Sequence, residues 1–290
     1  MNRTVPVTVI IPAYNAALWL RRTLESVQQQ LAVPEAVVVI DDGSTDDTAE
    51  IAQANGATVL RQNRQGPGAA RNRGLDVATT EFVAFLDADD WYAPDKLEQA
   101  VNVLDQLKAA CVATDAWIVR GDRIEGRKNH QRPVPTVLTM ERLLQGNPVI
   151  CSTVVARLAA VRAAGGFDDH PDLIATEDFD LWLRMAKREP IAYLPEPSTF
   201  YRVHQGSLTS NERFVRGIDR ILTRIAKEHE GEAHFQNLVR RRRADVRLDL
   251  AWDLLGAGKR EAARAMIDEA SELARSWKGL RMKLRTLLAK

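Results

Sequence analysis

The chain has 290 residues, 45% hydrophobic and 27% charged, a composition ordinary for a water-soluble globular protein with a sizeable core. Its two cysteines, Cys111 and Cys151, argue against a secreted disulfide framework and make a reducing cytoplasm the expected compartment. The net charge of +1 divides unevenly: residues 212–290 carry a surplus of +7 and the rest −6, an acidic front that argues against a nucleic-acid partner.

In chain order, the run Val-Pro-Val-Thr-Val-Ile-Ile-Pro at 5–12 reads as a buried strand stopped by Pro12. Residues 1–6 are too short and polar for a signal peptide. Helical spacing follows over 16–30, with Leu18, Leu20, Leu24, Val27 and Leu31 apolar. A second strand at 36–40 runs into Asp41-Asp42-Gly43-Ser44, and Thr45 or Asp46 can cap the next helix. Residues 57–60 give a third strand, Gly66-Pro67-Gly68 opens a helix over 69–78, and 82–86 is a fourth strand ending at Asp87. Pro94 begins another helix, 110–119 is a fifth strand, 129–135 a polar loop and 177–187 a helix with an acidic first turn. A short strand at 199–203 and a polar loop at 204–210 precede helical periodicity almost to the end, with breaks near Gly231, at 256–258 and near Gly279. No run reaches the roughly 18 apolar residues of a membrane span. Strands alternating with helices imply α/β architecture, a Rossmann-like, mostly parallel sheet flanked by helices. Ligands then bind beyond the carboxyl ends of the strands, where 12–15, 41–42 and 87–90 lie.

Several groups there suit chemistry, each with a plainer reading beside it. Asp87-Ala88-Asp89-Asp90 can place one carboxylate on a ribose and another on a hard divalent ion, Mg²⁺ or Mn²⁺, or it is an acidic turn capping a helix. Asp41-Asp42 can accept an imide N–H from uracil, or form an Asx-turn. The small residues and arginines of 66–74 allow close backbone approach and planar recognition of base or phosphate, or serve helix–sheet packing. Glu177-Asp178 beside Trp182 can deprotonate an acceptor hydroxyl against an aromatic wall, or complement the helix dipole. His204 is a candidate metal ligand or a structural histidine.

Taken in order, these segments resemble the inverting glycosyltransferase family 2, of the GT-A fold. The resemblance rests on Val-Ile-Ile-Pro-Ala-Tyr-Asn at 9–15, Ile-Asp-Asp-Gly-Ser-Thr-Asp at 40–46, Asn63 with Gly-Pro-Gly-Ala-Ala-Arg-Asn-Arg-Gly at 66–74, and Phe-Leu-Asp-Ala-Asp-Asp at 85–90. It continues through Gly-Gly-Phe-Asp at 165–168, Glu-Asp-Phe-Asp-Leu-Trp at 177–182 and Tyr-Arg-Val-His-Gln-Gly-Ser-Leu-Thr at 201–209. It implies a GT-A domain over 1–210 and transfer from a nucleoside-diphosphate sugar, preferably UDP-linked, with inversion, in glycan or glycoconjugate biosynthesis. By this resemblance Pro12, Ala13, Tyr14, Asn15, Asp41, Asp42 and Arg71 line the nucleotide site, with Asp87-Ala88-Asp89 as the DXD motif. Asp87 approaches the ribose, Asp89 and His204 are metal ligands, Asp178 is the general base with Glu177 as the alternative, and Trp182 faces the acceptor. The acceptor is a glycan, a lipid-linked saccharide or a protein.

Residues 211–290 lie outside the resemblance as a helical extension. Arg240-Arg241-Arg242-Arg243 and the amphipathic, basic 275–290 suit an interfacial helix on anionic lipid at the inner membrane face. The alternative is a helical hairpin packed on the catalytic domain or on another subunit of a homo-oligomer. Two other functions compete: a sugar-nucleotide nucleotidyltransferase, disfavoured because no glycine-rich loop with Arg and Lys follows the first strand, and an inactive glycan-binding or scaffold protein, which would not need Asp178.

Overall fold

The computed structural model describes residues 3–130, 133–204 and 212–274. Apolar runs bounded by polar turns become strands, and the segments between them with one apolar face become helices. In order these are β1 (Arg3–Ala13), α1 (Leu20–Gln28), β2 (Ala32–Asp41), α2 (Thr48–Ala54), β3 (Thr58–Arg61), α3 (Pro67–Val77), β4 (Phe82–Phe85), β5 (Trp91–Tyr92), α4 (Lys96–Leu107) and β6 (Cys111–Arg120). Then come β7 (Arg123–Arg127), β8 (Val137–Leu138), α5 (Met140–Leu144), β9 (Val155–Arg157), α6 (Leu158–Ala163), α7 (Glu177–Ala186), β10 (Ile191–Arg202), α8 (Glu212–Glu228), α9 (Ala233–Gly256) and α10 (Arg260–Leu273).

Among the described residues ten strands form one sheet along the path β3-β2-β1-β4-β9-β6-β10-β5, with β7 on β6 and β8 on β10. Strands β3, β2, β1 and β4 are mutually parallel, as is the β6–β10 pair. Strand β9 is antiparallel to both β4 and β6. Register fixes the site: Ala13 pairs with Asp41 and Ile10 with Phe85, so the loops after β1, β2 and β4 open on one edge. Beneath them, Val9, Ile11, Leu24, Val39, Ala84 and Leu97 belong to a continuous buried core.

Helix α3 lies on β1 and β2, and Gly74 permits it. A Cβ there would stand 2.5 Å from Ile10 Cγ2 and 3.0 Å from Ile40 Cδ1, closer than packed carbons tolerate. Three sequence expectations need correction. Helix α1 starts only at Leu20, because the chain turns on the Ala16 carbonyl first, and Leu18 and Leu31 are solvent-exposed rather than core. Strand β10 begins at Ile191, not near 199; its register shifts around Pro195 and Pro197 break the apolar pattern. The three-residue β9 carried no signal in sequence.

By contact the chain forms two compact units. The first holds the sheet and helices through α7, apart from two short segments. The second holds Leu144–Gly146, His170–Thr176 and helices α8 to α10. Within it, Ala244, Leu248 and Ala251 of α9 pack with Ala263, Ile267 and Ala270 of α10. Helix α8 lies close on 170–176, since a Cβ on Gly217 would meet the Asp172 carbonyl at 2.8 Å. Gly231 and Gly258 adopt positive φ where the helices break. No helix among the described residues is long and apolar enough to cross a membrane. The basic segment 275–290, with its membrane and subunit alternatives, and the motif end at 205–209 lie outside the described residues.

Candidate active site

The loops after β1 and β2 are knitted together by side chains. Asn15 sits at φ 48° and its Oδ1 accepts the Thr45 N–H at 2.8 Å. Its own N–H reaches Ser44 Oγ at 2.9 Å, and the Ala16 N–H reaches Thr48 Oγ1 at 2.8 Å. Asp46 accepts N–H groups from Thr48 and Ala17, tying the α2 start to the first loop. Asp41 accepts the Ser44 N–H at 2.9 Å, which closes the loop after β2 on its own first residue. Asp42 does more. Its buried carboxylate accepts Gln62 Nε2 and the N–H groups of Gln65 and Gly66, each at 2.8 Å, which fixes the loop between β3 and α3. Pro12 is partly buried, Ala13 buried, and Tyr14 exposed with the Arg64 guanidinium 3.8 Å over its ring.

Arg71 is 4% exposed and joins two parts of the site. Its Nη2 donates to Asp87 Oδ1 at 2.6 Å and its Nη1 to Glu177 Oε1 at 2.7 Å. Bonds this short between charged partners are the strong kind. The carboxyl edge of β4 and the start of α7 are thereby linked through one guanidinium on α3. Gly68 allows the approach, since a Cβ there would meet Glu177 Cγ at 3.3 Å. Glu177 is buried, so its partnership with Arg71 explains its presence there.

Asp178 is partly buried, and its Oδ1 accepts the N–H of Phe179 at 2.6 Å. Burial and then the Glu177 charge push its carboxyl up to about 7, against the opposing pull of Arg71. A carboxyl near neutrality is suited to exchange protons with a substrate. Trp182 does not serve this site as expected: its side chain is 0% exposed, among Phe85 and Phe167. Buried there, it cannot form an acceptor wall.

Asp87 and Asp89 keep 31% and 30% of their side-chain surface exposed, while Ala88 between them is buried. Asp89 Oδ2 lies 2.8 Å from His204 Nε2, and Trp19 stacks on the imidazole. Burial, then the charge of Asp87, push the Asp89 carboxyl up, opposed by His204. The pair offers a hard oxygen beside an imidazole nitrogen, and a cation would relieve the crowding of the two carboxylates. Among the described residues no group of three or more His, Cys, Asp and Glu could hold a metal alone. A divalent ion here would need phosphate or water oxygens to complete its shell, as Mg²⁺ commonly does.

Sequence reasoning missed Gln62 and the buried polar groups Ser152, Asp90 and Arg202. An isolated serine or glutamine carries no pattern, and an aspartate at the end of an acidic run gives no sign of its burial. Cys151, a buried thiol, lies close enough to feel Arg71, Asp87, Asp178 and Glu177, and burial pushes its pKa well up.

Residues 8–163 match the model of glycosyl transferase family 2. An uncharacterized glycosyltransferase of Haemophilus influenzae is 30% identical over 214 residues, 71% of this chain and 82% of that protein. WfaP of Escherichia coli, named a UDP-Glc:alpha-D-GlcNAc-diphosphoundecaprenol beta-1,3-glucosyltransferase, is 28% identical over 211 residues, 71% of this chain and 80% of that protein. The crystal structure of S. aureus TarS 1–349 in complex with UDP-GlcNAc superposes with a TM-score of 0.64 at 22% identity, covering 91% of this chain and 81% of that one. That last likeness concerns the fold.

Proposed function

The chain belongs to glycosyl transferase family 2, and on that premise we propose how its residues divide the work of sugar transfer. The enzyme is a nucleotide-sugar-dependent, inverting glycosyltransferase of GT-A fold. We assign the chemistry to residues 1–210 and treat 211–290 as an appended helical extension.

The donor is a UDP-sugar. Asp42 has three of a carboxylate's roughly four acceptor positions filled by the loop it holds, and the fourth takes the uracil imide N–H. Pro12, Ala13, Tyr14, Asn15 and Asp41 line the same strand-end pocket. Asp87 accepts from the ribose. Asp89 and His204 would hold Mg²⁺ or Mn²⁺. When bound, the cation supplies Lewis-acid stabilisation of the departing diphosphate. Arg71 keeps Asp87 and the α7 start in fixed relation, so donor and base are presented together.

Asp178 takes the proton of the acceptor hydroxyl as that oxygen attacks the anomeric carbon opposite the leaving diphosphate. The C–O bond to the diphosphate breaks as the new glycosidic bond forms, which inverts the centre and requires no covalent nucleophile. Glu177, committed to Arg71, positions rather than abstracts. The acceptor is a glycan, a lipid-linked saccharide or a protein; the named acceptor of the E. coli relative supports the lipid-linked class. The observation that carries the reading is the buried Arg71 bridge between Asp87 and Glu177.

Thermal-shift and calorimetric titration with UDP-sugars tests it. Stabilisation by a UDP-sugar should require Mn²⁺ or Mg²⁺ and should disappear in Asp89→Ala. Metal-independent binding, or binding unchanged in Asp89→Ala, would remove Asp89 from the site.

A further inference from the structure

Asp90 is the third carboxylate of the acidic run, and it faces away from the site. It is 0% exposed, and a buried carboxylate is costly unless each oxygen is bonded. Both are. Oδ2 accepts the Ser152 hydroxyl at 2.5 Å and Oδ1 accepts the Arg202 N–H at 2.9 Å. Ser152 Oγ in turn accepts the Asp87 N–H at 3.0 Å. One carboxylate thus ties the residue placed on the ribose, through Ser152, to the end of β10, two residues before His204.

The same clasp is repeated along the backbone. Arg202 Nε donates to the Asp89 carbonyl at 3.1 Å, and its guanidinium lies 4.1 Å over the Trp19 ring that stacks on His204. Thr23 Oγ1 stands 2.9 Å from the Ala88 carbonyl and 2.7 Å from that of Asp90. The Asp90 N–H closes a turn on the Asp87 carbonyl at 3.1 Å. Every residue from Asp87 to Asp90 is therefore anchored from outside the loop, while only Asp87 and Asp89 of its carboxylates reach solvent.

We propose that Asp90 is a positioning residue that, through Ser152 and Arg202, sets the spacing of Asp87, Asp89 and His204 before nucleotide and cation arrive. It touches neither ligand. Its contribution is preorganisation: the two carboxylates repel, and a loop free to move would let them part. Outer partners of metal ligands commonly change metal affinity roughly 10–100-fold when removed. This inference rests on the site assigned above, so its test separates the two.

The test is calorimetry of UDP binding to the full chain, with and without Mn²⁺. Asp90→Asn keeps an acceptor for the Arg202 N–H but turns an NH₂ toward Ser152, whose hydroxyl then loses its acceptor. Ser152→Ala breaks the same link from the other side with a smaller disturbance, and stands as the test if Asp90→Asn does not fold. Each should raise the Mn²⁺ concentration needed for UDP binding by roughly tenfold or more. The double variant should be no weaker than the worse single one, because the two residues form one link. Wild-type Mn²⁺-dependent binding in Ser152→Ala, or fully additive losses, would overturn the proposal. If Asp89→Ala retains Mn²⁺ dependence, the site assignment itself fails, a separate outcome.

Discussion

Replacing Arg71 with methionine removes the guanidinium while keeping much of the side chain's apolar bulk. Arg71 makes two charge-assisted bonds at 2.6 and 2.7 Å, to partners whose side chains are 31% and 6% exposed. Removing one partner of a buried ion pair costs about 3–5 kcal/mol, because the other charge is left desolvated and unpaired. The Asp87 half is partly solvated and contributes less, so the lower end, about 3 kcal/mol, is expected. At roughly 2–4 °C per kcal/mol for a domain of this size, the melting temperature should fall by about 6–12 °C. A second effect follows from charge. Arg71 lowers the Asp178 carboxyl, which stands at about 7; without it, that carboxyl rises further. A base must be deprotonated, so the acid limb of the activity–pH profile should move to higher pH. Differential scanning fluorimetry and UDP release measured across pH 5.5–9, a range chosen to bracket roughly neutral pH, read both. An unchanged melting temperature with an unmoved acid limb would refute the bridge as the link between donor and base.

Asp178→Asn should raise stability as activity falls. The folded pKa of about 7 exceeds the ordinary carboxylate value, so this group's contribution is fully present below the unfolded pKa and is lost as pH rises through 7. The variant's melting temperature should therefore exceed wild type most clearly above pH 7, roughly where the carboxylate is charged; equal values there would contradict the burial of that charge. Lys96 is 0% exposed, and burial lowers its amine to about 7. Between there and the unfolded value of about 10.4 the unfolded chain holds more protons, so stability should rise with pH by up to about 1.4 kcal/mol per unit. Lys96→Met should flatten that rise in urea titrations at pH 7.5 and 9.5, values chosen about the ends of the window. Gly74→Ala should cost about 1–3 kcal/mol by forcing α3 off Ile10, read as a lower urea midpoint.

The sheet edge was legible because 36–40 and 82–86 are short apolar runs broken abruptly by aspartates, and such runs end where strands do. That placed Asp41, Asp42, Asp87 and Asp89 on one side, as the Ala13–Asp41 and Ile10–Phe85 register now has them. The partnerships were not legible. Arg71 is separated from Glu177 by 106 positions and Asp90 from Arg202 by 112, and no local periodicity encodes such contacts. Trp182 misled because an aromatic near an acidic pair reads alike whether it faces a ligand or the core. Strand β9 escaped because three residues are too few for a period-two pattern. The bulged start of β10 escaped because two prolines interrupt it.

The central claim, that this edge holds a nucleotide-sugar while Asp178 deprotonates the acceptor, is tested most directly by Asp178→Asn in paired assays. UDP affinity with saturating Mn²⁺ is measured alongside release of UDP from the UDP-sugar that binds. UDP affinity should stay near wild type while release falls roughly 10²–10⁴-fold, the usual share of a positioned base. Collapse of UDP affinity, or release at the wild-type rate, would contradict the assignment.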